Sequence, residues 1–430
     1  MSSKSNEKDV FTVLVTGANS GLGFALCCRL IDEFLYTRPQ TQHLHLLFST
    51  RDGKKGDDTK QRLQKHLVKF SRTANGTTLG ISQLLDARIH LENVLVDLLK
   101  LTTVKSLAEQ LLRRGQRLDA VVWNAGIPGW LGLNWPKAIW SVATDTVHAT
   151  TYPEYMRPDL GAIAKPQLDG KKAGGSPEPT LGQVFTANVF GHYMLTHWLS
   201  PLMTRDMRIV WTSSISALPN SFSLDDIQGL KTPAAYECSK RLTDFLVLTS
   251  ELPSAKPFMQ SFLPTSKPDS TPKMYVTHPG VIGTSIAGLN AVMEFFMFLT
   301  FVFARLFGSP WHAAEPYKGA VSAVFAVLST QLPDLEQRDG KGKWGSAVGV
   351  SGDERVARTE VDGWGFSGRV GSVPDGSVVG LRGRWRGLKQ VTDESRREFE
   401  ETGREVWKAM EQMREEWEAR LGPLDQGVAK

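Results

Sequence analysis

With 430 residues, 41% of them hydrophobic and 22% charged, the chain has a globular composition and is long enough to bury a large core in one extended domain or two. Its net charge of +5 is spread thinly and no basic run is interleaved with aromatics, which excludes nucleic acid as a partner. The three cysteines show no metal-ligand spacing, and the adjacent Cys27 and Cys28 point to different faces of an expected helix, which suits a reducing compartment.

The first apolar run, Val10 to Val15, follows a polar start and is too short for a signal-peptide core. Phe11 to Thr16 reads as a strand and Phe24 to Tyr36 as a helix. Between them stands Thr16-Gly17-Ala18-Asn19-Ser20-Gly21-Leu22-Gly23. Strand, glycine turn and helix are the setting a dinucleotide fingerprint requires. Glycines at 17, 21 and 23 allow close approach to a pyrophosphate, and the helix N-terminus favours its charge. Asn19, Ser20 and Leu22 belong to the same turn. The second strand, His45 to Thr50, runs into Arg51, where a site for NAD usually carries an acidic side chain. A guanidinium and the Thr50 hydroxyl suit a ribose 2′-phosphate, so NADPH is expected; Asp52, one step on, keeps NAD as the alternative.

Gln61 to Phe70 reads as a helix and Ser71 to Ala87 as an inserted loop. The third strand, Ile89 to Val96, ends at Asp97, placed to accept from an adenine amino group. A helix from Thr102 to Arg114 leads to the fourth strand, Asp119 to Trp123, and to the small residues Asn124-Ala125-Gly126, which leave room for a cofactor ribose. Leu131 to Leu181 has no clean periodicity; its tryptophan-rich first half is expected to form part of a substrate wall. Thr180 to Met203 reads as one long helix carrying Asn188, and Arg208 to Thr212 as the fifth strand, ending in Ser213-Ser214.

After a linker of about twenty residues, counted from Ile215 to Ala235, comes Tyr236-Glu237-Cys238-Ser239-Lys240. On a helix, residues four apart share one face, so the Lys240 ammonium is expected near the Tyr236 phenol, moving its pKa down toward working pH and making it a usable proton donor for carbonyl reduction. Met274 to Thr277 is a short strand, and the following Pro279-Gly280-Val281 turn is expected to present backbone amides, with the Thr284 hydroxyl, to a nicotinamide carboxamide.

Ile286 to Phe307 carries six phenylalanines and only Glu294 and Arg305 as charges. It is too short an apolar run to span a bilayer, and is read as membrane contact from one side, against a buried helix or a lid over an apolar ligand. Ala313 to Thr330 reads as a helix, Lys343 to Val348 as the last strand, and Gly349 to Arg386 as irregular. Thr392 to Leu421 is an amphipathic helix with Phe399, Val406, Met410, Met413, Trp417 and Leu421 on one face, ended by Gly422-Pro423 and expected to pack on the main domain. The division that follows is a nucleotide-binding domain over 1–350 and an appended 351–430.

Thr16 to Gly23, Asp97, Asn124-Ala125-Gly126, Asn188, Ser213-Ser214, Tyr236 with Lys240, and Pro279-Gly280 to Thr284 together resemble the short-chain dehydrogenase/reductase family over roughly residues 10 to 350. Within it, Ala187-Asn188-Val189-Phe190-Gly191, Tyr236 to Asp244, Gly308-Ser309-Pro310-Trp311-His312 and the Glu416-Trp417-Glu418 helix are most similar to the fungal 3-keto-steroid reductases of sterol C-4 demethylation. That resemblance implies a Rossmann-type doubly wound parallel sheet with helices on both faces, long insertions and a C-terminal helical extension.

It also implies roles. Tyr236 donates a proton to a ketone oxygen, Lys240 binds the nicotinamide ribose and lowers the tyrosine pKa, and Asn188 holds a water linking Lys240 to solvent. A serine, Ser214 or else Ser213, hydrogen-bonds the carbonyl. The implied substrate is a 3-oxo (4-methyl) sterol, with a membrane surface of the endoplasmic reticulum or lipid droplet as the place of work. Partners would resemble the sterol 4-methyl oxidase and C-3 dehydrogenase. The alternatives are a reductase of another bulky lipid or secondary-metabolite ketone, and a nucleotide-binding scaffold without turnover. Trp123 departs from the pattern, because many relatives have a second asparagine there.

Overall fold

The computed structural model describes residues 10–75, 85, 87–168, 177–264, 272–283 and 290–425. Its strands are β1 (Val10–Val15), β2 (His43–Thr50), β3 (Ile89–Leu95), β4 (Leu118–Trp123), β5 (Trp130–Leu133), β6 (Met156–Pro158), β7 (Met203–Thr212), β8 (Lys273–His278), β9 (Lys343–Val348) and β10 (Glu354–Thr359). Eight of them make one sheet in the order β10-β9-β8-β7-β4-β1-β2-β3; β5 and β6 form a separate hairpin.

Every neighbouring pair in the large sheet is parallel except β10 against β9. Parallel strands buried on both faces need apolar residues throughout, and β4 is buried at all six positions. Alternation along β1 sends Val13 and Val15 into one core layer and Leu14 into the other. The first layer is closed by the helices Gly21–Thr37 and Val321–Leu328, the second by Leu101–Arg114, Gly191–Trp198, Ala235–Thr249 and Asp393–Leu421. β1 pairs with β2 on one side and β4 on the other, so the strand order reverses there, and a crevice opens at the carboxyl ends.

Several boundaries differ from the sequence reading. The second helix starts at Gly53, well before Gln61, and runs to Asn75. The helix expected over 180–203 is shorter and carries a π-helical segment, Thr186–Phe190, centred on Asn188. A π-bulge shifts the register by one residue and is frequent at functional sites. Residues 131–168 are less irregular than expected, folding as the β5–β6 hairpin with helices Trp135–Thr144 and Thr146–Thr151. The reading of 349–386 as irregular is corrected at Glu354–Thr359, which joins the sheet edge as β10.

The C-terminal helix Asp393–Leu421 opens with a reciprocal bond pair, Thr392 and Ser395, at its N-terminus. Its Phe399, Val406, Trp407, Met410 and Trp417 are buried in the second core layer, Phe399 against Phe245 of the helix Ala235–Thr249 and Trp407 against Tyr193 and Phe262. The helix bearing the expected catalytic tyrosine is therefore held between the sheet and the C-terminal helix.

Candidate active site

The crevice is a cleft of about 440 Å³, within the ordinary range for a small-molecule site. Gly17, Asn19, Ser20, Gly21, Leu22, Gly23, Thr50, Arg51, Asp97, Asn124, Ser214, Tyr236, Lys240 and Val281 all line it. Asn188 lies just behind its wall. Thr284 falls outside the described residues.

The glycine turn is fixed by close approach. Gly17 adopts φ +70° and Gly21 φ +54°. A Cβ on Gly23 would stand 2.1 Å from the Gly17 carbonyl oxygen and 2.6 Å from Asn124 Nδ2, so no side chain fits there. Thr16 ties the turn to β4: its Oγ1 accepts from the Asn124 N–H (3.0 Å) and the Ala125 N–H (3.1 Å) and lies 2.9 Å from His192 Nε2. Burial holds the His192 imidazole down to about 3, so it stays neutral and can share a proton with Thr16. Neither Thr16 nor His192 carried a role in the sequence reading, although Thr16 opens the glycine-turn motif and His192 lies on the helix expected to carry Asn188.

Asp97 accepts from the Leu99 N–H at 3.1 Å, which holds its carboxylate at the end of β3. The Thr50 hydroxyl donates to Asn93 Oδ1 and the Asp52 carbonyl oxygen. Arg51 is exposed and makes no hydrogen bond or ion pair among the described residues. Asp52 instead turns to Lys55, accepting from its N–H at 2.9 Å and lying 3.4 Å from its ammonium. At the cleft edge the free charge is thus a cation, with the acid turned toward another partner.

On the opposite wall, Lys240 Nζ is buried, donates to the Thr212 carbonyl oxygen at 2.7 Å, and lies 5.4 Å from the centre of the Tyr236 ring. Burial and the nearby Lys343 charge lower its pKa to about 8. The Tyr236 phenol is pushed up to about 12 by burial and by the Glu237 carboxylate, with the Ser214 hydroxyl drawing it back. This corrects the expectation of a lowered tyrosine pKa: loss of water around the phenol outweighs the cation one turn away. At neutral pH the phenol keeps its proton. Glu237 itself is raised to about 7 by burial.

Ser213 and Ser214 separate cleanly. The Ser213 hydroxyl is buried and donates to Asp244 Oδ1 at 2.6 Å, whereas Ser214 Oγ sits 2.9 Å from Ser216 Oγ and interacts with Tyr236. Asn188 uses its whole amide on the protein. Its Oδ1 accepts from the Ile127 N–H (2.7 Å), and its Nδ2 donates to the Ile127 carbonyl oxygen (3.1 Å) and to Ser239 Oγ (3.1 Å). The side chain expected to hold a water thus bridges the strand exit after β4 to the tyrosine helix. Val281 lines the cleft, but its N–H donates to the Trp311 carbonyl oxygen and the Gly283 N–H to that of Ala314. The Val281 amide, expected to face a carboxamide, is thus engaged elsewhere, as is that of Gly283. Trp123 fills the departing position as a buried ring 5.2 Å from His192 and 6.5 Å from Trp211.

From the insertion, Thr150, Thr151 and Pro153 line the cleft, and just before it the Trp130 ring meets Tyr236 edge-on at 5.4 Å; Trp135 and Trp140, expected in a substrate wall, are exposed and do not line the cleft. Nothing in the sequence pattern pointed to Lys343, which comes from β9 and donates to the Ser214 carbonyl oxygen at 2.6 Å.

A dinucleotide fits this site: the turn accepts only glycine at 23, and the N-terminus of the helix Gly21–Thr37 opens on the cleft with no side-chain cap. What the other wall offers is a protonated phenol and a hydroxyl converging on one point, with an ammonium behind them.

No protein-family model matches the chain. The 3-keto-steroid reductase of Aspergillus fumigatus is 42% identical over 449 aligned residues, covering 98% of each chain. That of Gibberella zeae is 38% identical, covering 95% of this chain and 94% of its own, and that of Schizosaccharomyces pombe 31% identical, covering 81% and 90%. Among solved structures, a short-chain dehydrogenase/reductase from Serratia marcescens is 14% identical with a TM-score of 0.41, covering 74% of this chain and 90% of its own. With a relative this similar along nearly its whole length, the chain belongs to the 3-keto-steroid reductases.

Proposed function

We propose that this protein reduces the 3-oxo group of a sterol to the 3β-hydroxyl with NADPH, in sterol biosynthesis. The observation that carries the reading is the convergence of the Tyr236 phenol, the Ser214 hydroxyl and Lys240 on the far wall of a cleft whose near wall is the glycine turn. Gly17 to Gly23 would hold the pyrophosphate, Asp97 the adenine, and Lys240 the nicotinamide ribose. When bound, the cofactor supplies a hydride to the ketone carbon.

The chain's own groups handle the charge and the proton. As the ketone oxygen gains negative charge, Ser214 Oγ and the Tyr236 hydroxyl donate hydrogen bonds to it. Tyr236 then passes its proton to that oxygen, and the resulting phenolate is stabilised by the Lys240 ammonium. Because the phenol is held near 12, it is in the donor form throughout the neutral range. Asn188 keeps the cleft floor and the tyrosine helix in register.

The choice of the phosphorylated cofactor is supported by Arg51, whose guanidinium is free at the cleft edge while Asp52 is paired with Lys55. A water-insoluble substrate is supported by the apolar rim. On the helix Ala291–Leu306, Phe301 and Ala304 are buried, while Phe295, Phe296 and Phe303 are exposed by 58%, 61% and 53%. That helix packs against Thr146–Thr151, next to exposed Ile139 and Trp140. No helix among the described residues is long and apolar enough to cross a membrane. We place this rim against a lipid surface, of the endoplasmic reticulum or a lipid droplet, from which a sterol enters.

Two measurements test the proposal. Incubation with a 4-methyl-3-oxosterol and NADPH is expected to yield the 3-hydroxysterol; absence of product refutes the activity. Replacing Phe295, Phe296 and Phe303 by serine is expected to abolish co-sedimentation with phosphatidylcholine vesicles, and undiminished co-sedimentation rules out this rim as the contact.

A further inference from the structure

We propose that Lys343 and Asp244 are positioning residues for the reductase, a buried ion pair that aligns the Ser213-Ser214 strand end with Lys240 and Tyr236. The inference rests on the reaction proposed above. Lys343 stands at the start of β9 and Asp244 on the tyrosine helix, 99 residues apart in the chain, and their side chains are 3% and 0% exposed. Lys343 Nζ donates to Asp244 Oδ2 at 2.7 Å and to the Ser214 carbonyl oxygen at 2.6 Å. The other oxygen, Asp244 Oδ1, accepts from Ser213 Oγ at 2.6 Å, and that hydroxyl lies 3.2 Å from the Lys240 carbonyl oxygen. One pair therefore fixes the carbonyl of the serine that faces the cleft, the hydroxyl of its neighbour and, through that hydroxyl, the backbone of the lysine.

Burying two charges is expensive, and an apolar pair of similar volume often stabilises a fold as well or better. What an apolar pair cannot do is hold the Ser214 carbonyl or set the potential at Lys240. The charged and titratable groups facing Lys343 are Asp244, Arg241 and Lys240 on the tyrosine helix, and His278 on β8. Glu360, Asp362, Tyr152, Arg382 and Arg384 line a small cavity of about 40 Å³ together with Lys343 and Asp244, and Arg384 is paired with Glu360. His278 is held neutral by burial and by the Lys343 charge. Among charges, Lys343 is the largest influence lowering the Lys240 pKa, and Asp244 opposes it. Removing Lys343 therefore moves the lysine titration upward.

The test compares wild type, Lys343→Met, Lys343→Arg and the double variant Lys343→Met/Asp244→Asn. The double variant leaves neither member of the pair as a lone buried charge and so guards against simple unfolding of the single one. Two readouts are taken against pH: kcat and KM for the oxosterol with NADPH, and the dissociation constant of NADPH from nicotinamide fluorescence. For Lys343→Met and the double variant, kcat is expected to fall on the order of tenfold to hundredfold, the cost of a small displacement of reacting groups. KM is expected to change little, and the alkaline limb, expected near pH 8 in wild type, to move upward, by less in the double variant because the opposing Asp244 charge is lost with Lys343. Lys343→Arg is expected to recover part of kcat and return the limb toward wild type. A folded double variant with wild-type kcat and an unmoved limb overturns the proposal. Wild type that binds NADPH but makes no hydroxysterol refutes the proposed reaction instead, and the pH dependence of NADPH binding then still reads the pair: a shifted inflection upholds it and an unshifted one overturns it.

Discussion

The two walls of the cleft are held by different means. On the nucleotide side, position is set by backbone: Gly17 and Gly21 adopt left-handed conformations, Gly23 has no space for a Cβ, and Thr16 collects the strand-end amides of Asn124 and Ala125. On the reaction side, position is set by buried side chains from distant parts of the chain. Lys343 reaches Ser214, Asp244 reaches Ser213, Asn188 reaches Ile127 and Ser239, and the C-terminal helix backs the tyrosine helix through Phe399, which meets Phe245. The nucleotide wall thus depends chiefly on close backbone approach, and the reaction wall on contacts between buried side chains.

That difference can be broken selectively. The largest effect is expected from Tyr236→Phe, which removes the proton donor alone: kcat should fall by about 10²- to 10⁴-fold, while NADPH binding, measured by fluorescence, stays near wild type. An enzyme that remains fully active without the phenol contradicts the role given to the reaction wall. Next comes Trp407→Ala, behind that wall, where the ring is 0% exposed. Losing a buried tryptophan is expected to cost about 3–5 kcal/mol of stability, read from denaturant midpoints, and a loss under 1 kcal/mol would show that the C-terminal helix does not support the fold. On the nucleotide wall, Arg51→Ala is expected to raise KM for NADPH by about tenfold, the scale of one charge-assisted hydrogen bond, with NADH unaffected. Equal losses with both cofactors would assign Arg51 a different function.

The same division explains what could be read before the fold was known. The glycine turn, the strand ends at Asp97 and Asn124, and Tyr236 with Lys240 announce themselves because a few adjacent residues carry both the structure and the chemistry. Thr16, in the glycine-turn motif, and His192, on the helix of Asn188, carry no visible role in the sequence, since only the fold brings them within 2.9 Å. Lys343 had no local signal at all, because its partners are 99 and 129 residues away. The strand Glu354–Thr359 was hidden among glycines and charges, as an antiparallel edge strand need not be apolar on both faces. The direction of the Tyr236 shift was misjudged for a related reason: helical spacing shows which charge is near, and only the packed structure shows how much water is lost.

The account stands or falls on where the hydride goes. With NADPH deuterated at the transferring C4 position and a 4-methyl-3-oxosterol, it predicts a 3β-hydroxysterol carrying deuterium at carbon 3, formed by wild type and suppressed in Tyr236→Phe. A wild-type protein that binds the labelled cofactor yet places no deuterium on the sterol contradicts it.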